Sequence, residues 1–185
     1  MTVKEKKELY IERIKQFETI PLNTILSDES KNWLVWNGFF TAPASTKYHG
    51  NYEGGLFDHS LIVMNTLVQL TKDNQLQWSR EESPYIVGML HDLCKVGQYK
   101  ETAEGSEHPY EYRADTLLIG HGDKSVMVAS HLLQLTEEEM YCIRYHMGAL
   151  VEKDEWNYYT RAVSKYPNVL WTHHADMIAT HICGT

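Results

Sequence analysis

No apolar run in this 185-residue chain approaches the roughly 18 residues of a membrane span, so no membrane partner is expected. The opening segment, MTVKEKKELY, is charged and leads into no apolar core region, so it does not read as a signal peptide. Cysteine is scarce: Cys94, Cys142 and Cys183 are odd in number and form no CxxC pair. That excludes a complete disulfide framework and points to reduced thiols in a cytoplasmic protein. Basic charge is also short, with 17 Lys and Arg against 25 Asp and Glu and a net charge of −8. Non-specific grip on a long nucleic acid needs clustered Lys and Arg, so that partner is disfavoured. A small phosphate ester is not, because one or two divalent cations and a few local lysines make a pocket positive under an acidic surface. Repeats, low-complexity tracts, long linkers and clear runs of alternating strand residues are all missing.

What is present reads as helices. The length suits one domain with a sizeable core, and 43% hydrophobic residues is ordinary for a globular chain. Residues 4–19 carry Leu9, Ile11, Ile14 and Phe17 at helical spacing, and Pro21 ends them. A short aromatic helix around Trp33 and Trp36 stops at Gly38; its tryptophans suit either core or a dimer interface, with core favoured. The stretch TAPASTKYHGNYEGG, 41–55, is rich in turn formers. Helices are expected over 57–71 and over 83–94, with Gly97 closing the second. Residues 98–102 and 110–112 suit a small hairpin or loop excursion within an irregular 98–119. A helix over 120–135 follows. Thr136 with Glu139 then forms a capping box for a helix ending before Gly148. Residues 156–165 and 167–182 complete the set, Pro167 standing at a helix start. The fold class is therefore all-α, a single helical bundle.

The chemistry gathers around the doublet His91-Asp92. His59 lies on an apolar helix face with Ile62 and Val63 at i+3 and i+4, and the doublet ends the apolar run Tyr85, Ile86, Val87, Met89, Leu90. Asp176 sits between Leu170 and Met177-Ile178, and an Asp is rarely buried unless paired or bound to a metal. His59, His91, Asp92 and Asp176 suit one metal with two positions left for water and substrate. His121 and His146 suit a second, with Asp92 bridging. Mixed imidazole and carboxylate favours Mn, Fe, Ni, Co or Zn over Mg. Lys95 falls one turn after Asp92, where a cation steadies a phosphate oxygen or leaving group; Lys124 and Arg144 are weaker candidates for the same work. Each histidine alone is ordinarily a satisfied core side chain, and the joint pattern is what argues for a site. Cys94 reads as a buried small hydrophobe before it reads as a ligand. His173 is ambiguous; one turn before Asp176, it suits a supporting role among its alternatives. His108, His131 and His181 read as surface or core side chains, and His174 as ambiguous.

The motifs GGLFDHS at 54–60, HDLCKVG at 91–97 and HHADMIA at 173–179 resemble the HD-domain metal-dependent phosphohydrolase superfamily, over roughly residues 41–182. The resemblance implies an all-helical bundle in which His59, His91, Asp92 and Asp176 bind metal and Lys95 matches the family lysine. Two-metal subgroups add two histidines, matched by His121 and His146. It divides the chain into an N-terminal helical extension, 1–40, packed on an HD domain, 41–185. The segment APASTKYHGNYEGGLFDHS is similar to the opening of the HD domain of bacterial 3′→5′ exoribonucleases and of stand-alone phage-type HD proteins. On that likeness Lys47 and His49 line the pocket, or serve only to shape the loop. Two departures count. The first 40 residues are too few and too helical for the exoribonucleases' strand-gripping OB domain, and RYHMG offers His146 alone where their motif often has paired histidines.

The expected activity is a metal-dependent phosphohydrolase (a hydrolase of ester bonds) that cleaves phosphomonoesters or phosphodiesters of nucleotides or short oligonucleotides. Metal-activated hydroxide is the nucleophile, with Asp92 orienting the metals and Lys95 the phosphate. Alternatives are a 3′→5′ exonuclease on short single-stranded RNA or DNA, with Tyr48, Tyr52, Tyr110 and Tyr112 for stacking, and a non-catalytic nucleotide-binding HD module. The sequence leaves the oligomeric state open.

Overall fold

The computed structural model describes residues 2–117 and 120–184, so positions 118 and 119 of the irregular 98–119 stretch lie outside the described residues. The helices are α1 (Val3–Glu18), α2 (Leu22–Ile25), α3 (Asp28–Trp36), α4 (Gly55–Asn74), α5 (Ser83–Leu90), α6 (His121–Leu132), α7 (Glu137–Arg144), α8 (Trp156–Lys165) and α9 (Asn168–Ile178). Two short antiparallel strands, β1 (Tyr99–Glu101) and β2 (Tyr110–Tyr112), pair with Tyr99 opposite Tyr112, as the hairpin reading expects. The fold is a mostly helical single-domain bundle. Among the described residues no helix is long and apolar enough to cross a membrane.

Among the described residues one apolar cluster runs from Phe17 and Leu22 through Leu34, Phe57, Leu67, Ile86 and Ile143 to Val169 and Ala179. The N-terminal helix joins it through Phe17, whose ring meets Phe40 edge-on at 5.5 Å. It is fastened a second time by charge. The Arg13 guanidinium donates from Nε and Nη2 to the two oxygens of Asp58, each at 2.8 Å. That fork lies where a side chain at Gly54 would stand, and Gly54 has φ +86°, a left-handed conformation open to glycine. α4 thus starts under a clamp from α1, one residue before His59.

Several boundaries differ from the sequence expectation, each for a local reason. The 83–94 helix breaks after Leu90: Asp92 leaves helical geometry at φ −109°, ψ 18°, and a 3-10 turn, Leu93–Lys95, follows. The 120–135 helix ends at Leu132, because Leu133 is extended on the way to the Thr136 capping box. The last helix ends at Ile178 and widens into a π turn, Ala179–Cys183. Trp36 is not core; it stands 80% exposed. On α3 the buried positions are Ser30 and Leu34, and a residue two places past Leu34 points to the opposite side.

Two glycines set the crossings that matter below. A Cβ on Gly88 would overlap the Met64 backbone, so α5 lies directly against α4. A Cβ on Gly122 would overlap the carbonyl of Arg144, so α6 lies equally close to the end of α7. Gly88→Ala is expected to cost about 1–3 kcal/mol by overpacking. Urea unfolding should show a lower midpoint with an unchanged slope; an unaltered midpoint would mean the crossing is looser than described.

Candidate metal centre

The two glycine crossings deliver four imidazoles to one place. The α4–α5 contact puts His59 beside His91, with Nε2 atoms 3.3 Å apart. The α6–α7 contact puts His121 beside His146, ring centroids 4.9 Å apart. His91 and His146 are also ring neighbours at 4.9 Å, and His49 packs on His59 at 5.1 Å. Asp92 stands in the middle, 2% exposed, and Asp176 of α9 closes one side at 5% exposed.

The ring orientations follow from helix ends. The last carbonyls of a helix lack intrahelical partners. His91 follows α5 and its Nδ1–H donates to Gly88 O at 2.9 Å. His146 follows α7 and its Nδ1–H donates to Ile143 O at 2.7 Å. A carbonyl only accepts, so Nδ1 holds the ring proton in both, and each neutral ring points an Nε2 lone pair inward. His173 adds support from α9: its Nδ1–H donates to the His146 carbonyl at 2.8 Å.

The two oxygens of Asp92 face different sets. Oδ2 lies 3.6 Å from His59 Nε2, 3.4 Å from His91 Nε2 and 2.6 Å from Lys95 Nζ. His59 Nε2 is also 3.2 Å from Asp176 Oδ1. Oδ1 lies 2.8 Å from His121 Nε2 and 3.4 Å from His146 Nε2. Yet Asp92 Oδ1 and His146 Nε2 make no well-formed hydrogen bond, although both are buried. Lone pairs aimed at each other across a dry interior repel unless something positive lies between them. Nitrogen and oxygen ligands stand about 2.0–2.2 Å from a divalent ion such as zinc, which sets neighbouring ligand atoms about 2.8–3.6 Å apart. The imidazole-to-carboxylate separations above fall in that range. The cluster fits a metal ion, with three overlapping donor sets: His59, His91 and Asp176; His91, Asp92 and His146; Asp92, Cys94 and His121.

Electrostatics agree. Burial disfavours an ionised Asp92, but Lys95, His91 and His121 more than offset it and hold its carboxyl well below the usual range. Asp176 is likewise held low against its burial, chiefly by His59. Burial pulls Lys95 down, and the Asp92 carboxylate more than restores it, so the ammonium stays charged. Burial lowers His91 and His121, favouring the neutral rings that metals require. His146 goes the other way: Asp92 outweighs its burial and raises it, as expected where the carboxylate calls for a positive charge. Burial, and then Lys95, pushes His49 down to about 4.

The cluster floors a cavity of about 650 Å³, lined by Asp92, Lys95, His121 and Asp176 below and by Tyr48, Tyr99 and Tyr112 nearer the surface. Lys124 lines it and donates to Gln98 Oε1 at 3.2 Å. His49 lines it as well. Other sequence candidates are elsewhere. Lys47 is exposed and packs over the Tyr48 ring at 5.3 Å, outside the lining. Arg144 is occupied by Asp123 and by Glu155, the latter at 2.8 Å, so it is not free to hold a phosphate. Tyr52 and Tyr110 are also outside the lining, whereas Tyr99, His181 and Thr180 are in it and were not singled out for it by sequence. Tyr99 was findable from the hairpin pairing, which sets it opposite Tyr112. Cys94, expected as a small buried hydrophobe, is buried and also touches the cluster: its Sγ lies 3.0 Å from His121 Nδ1. Burial pushes its thiol up to about 12.

Removing a donor from the enclosed side should weaken metal capture outright. His59→Ala is expected to reduce Mn(II) or Co(II) affinity, read by titration calorimetry, by more than the ~10–100-fold that loss of an outer hydrogen bond costs. An unchanged affinity would show that no ion binds between His59 and Asp176. Comparison with protein-family models, with curated proteins and with solved structures returns no match to this chain.

Proposed function

We propose that this chain is a metal-dependent phosphohydrolase of the HD type, acting on a small phosphate ester, a nucleotide or a short oligonucleotide. One observation carries the reading. A single buried carboxylate, Asp92, turns Oδ2 toward His59 and His91 and Oδ1 toward His121 and His146, with no ordinary hydrogen bond to Oδ1. That is the arrangement a shared ligand between two cations needs. His59, His91, Asp92 and Asp176 would hold one ion, and Asp92, His121 and His146 a second. Imidazole-rich donors select Mn, Fe, Ni, Co or Zn over Mg. The likeness of GGLFDHS, HDLCKVG and HHADMIA to HD phosphohydrolases supports the same assignment.

A divalent ion held by these residues would supply a water of near-neutral pKa and positive charge for a phosphoryl group. The chain's own residues do the rest. Lys95 is anchored by Asp92 Oδ2 and lines the cavity floor, so its remaining N–H donors are placed for a phosphate oxygen. Lys124, held by Gln98, adds positive charge farther along the lining. The Tyr48, Tyr99 and Tyr112 rings offer a stacking wall for a planar base. The cavity volume suits a ligand of nucleotide size. The same three rings favour a second reading, cleavage of short single strands from one end, because stacking is tolerant of base identity.

The test is turnover of nucleotides, cyclic dinucleotides and short oligonucleotides with Mn, Fe, Ni or Co. Activity should vanish with chelator, return with metal, and fall at least about 100-fold in Asp92→Ala, in line with loss of a preorganised charge-stabilising group. Lys95→Ala should lower turnover while metal content stays at the wild-type level. Mononucleotide turnover indifferent to salt supports the first reading, and oligonucleotide cleavage that collapses with salt supports the second. Metal-free protein with no activity on any of these would end both.

A further inference from the structure

His121 is oriented differently from its neighbours. His91 and His146 follow their helices and bond back to carbonyls three residues earlier. His121 opens α6, and a residue at that end has no carbonyl of its own helix behind it. Its Nδ1 meets a side chain instead, Cys94 Sγ, at 3.0 Å. Cys94 is gripped from the same helix at a second point: its backbone N–H donates to Ser125 Oγ at 3.1 Å, and Ser125 is fully buried one turn on from His121. The 3-10 turn that follows Asp92 therefore carries the atom that aims His121 at Asp92.

We propose that Cys94 is a positioning residue for the His121 half of the centre, its sulfur accepting the His121 Nδ1–H so that Nε2 faces Asp92 Oδ1. This rests on the two-ion reading above and assigns the thiol a role outside the ligand set. Direct ligation is the rival, since Asp92, Cys94 and His121 lie close enough to share an ion. The ring geometry separates the two. Nε2 faces Asp92 at 2.8 Å while Sγ sits at Nδ1, so an ion on Nε2 and the sulfur occupy opposite edges of one imidazole. A ring whose second nitrogen is bonded keeps its tautomer and direction. His121 is also the ring most open to solvent, with its side chain 32% exposed against none for His59, His91 and His146, so it depends most on such a partner.

The experiment is Co(II) titration of the full chain by calorimetry and by absorption, for the wild type, Cys94→Ser, Cys94→Ala and Cys94→Val. Wild type should bind in two steps, without a thiolate-to-cobalt charge-transfer band. Cys94→Ala and Cys94→Val lack an acceptor at smaller and larger volume, and both should lose about 10–100-fold in the weaker step with the tighter step retained. The retained step reports that the variants are folded. Cys94→Ser, whose hydroxyl accepts the same bond, should stay within a few-fold of wild type. A charge-transfer band in wild type would make Cys94 a ligand and overturn the proposal. Two unchanged steps in both the Ala and Val variants, or a serine variant as weak as alanine, would overturn it while leaving the two-ion reading intact. A wild type that binds fewer than two ions would overturn both.

Discussion

An ionised carboxylate in a dry interior is stable only when other charges and donors surround it, and Asp92 imposes that requirement on this bundle. It is 2% exposed, reached by one ammonium, and ringed by four imidazoles from four stretches of chain. The helix that leads to it stops just short of it: α5 ends at Leu90, Asp92 leaves helical geometry, and a 3-10 turn follows. The elements around it then appear as supports: α4 and α5 on one side, α6 and the end of α7 on the other, α9 bringing Asp176 and His173.

Much of this was legible beforehand, and for identifiable reasons. Imidazoles and acids on apolar helix faces contradict ordinary burial rules, so His59, His91, Asp92 and Asp176 stood out, and the structure gathers all four together with His121 and His146. The Thr136–Glu139 capping box announced its helix because it is a purely local device, and it forms. The break at His91 was not legible, since Leu93 and Cys94 prolong the apolar pattern and both are in fact buried. Periodicity records burial, and burial continues through a change of backbone geometry.

Pairing in three dimensions was the other blind spot. Lys47 and Arg144 are basic residues near site residues in sequence, but one packs on Tyr48 and the other is consumed by Asp123 and Glu155. Arg13 and Asp58 are 45 positions apart, and nothing in either segment foretells their bidentate bond. Trp36 looked like core by type alone, whereas the direction of α3 was set by Ser30 and Leu34. Gly38, Gly97 and Gly148 punctuate helices in the sequence, whereas Gly88 and Gly122, which lie inside helices and carry no such signal, bring backbones together.

The helix-end bonds of His91 and His146 separate two quantities that metal sites usually entangle. Which way each nitrogen points is decided within four residues, by its own helix terminus. How far apart the nitrogens stand is decided by where whole helices cross. A change at a crossing therefore slides a correctly aimed nitrogen without turning it. The spacing of this cluster can be widened or narrowed by packing alone, with every imidazole and carboxylate of it left in place.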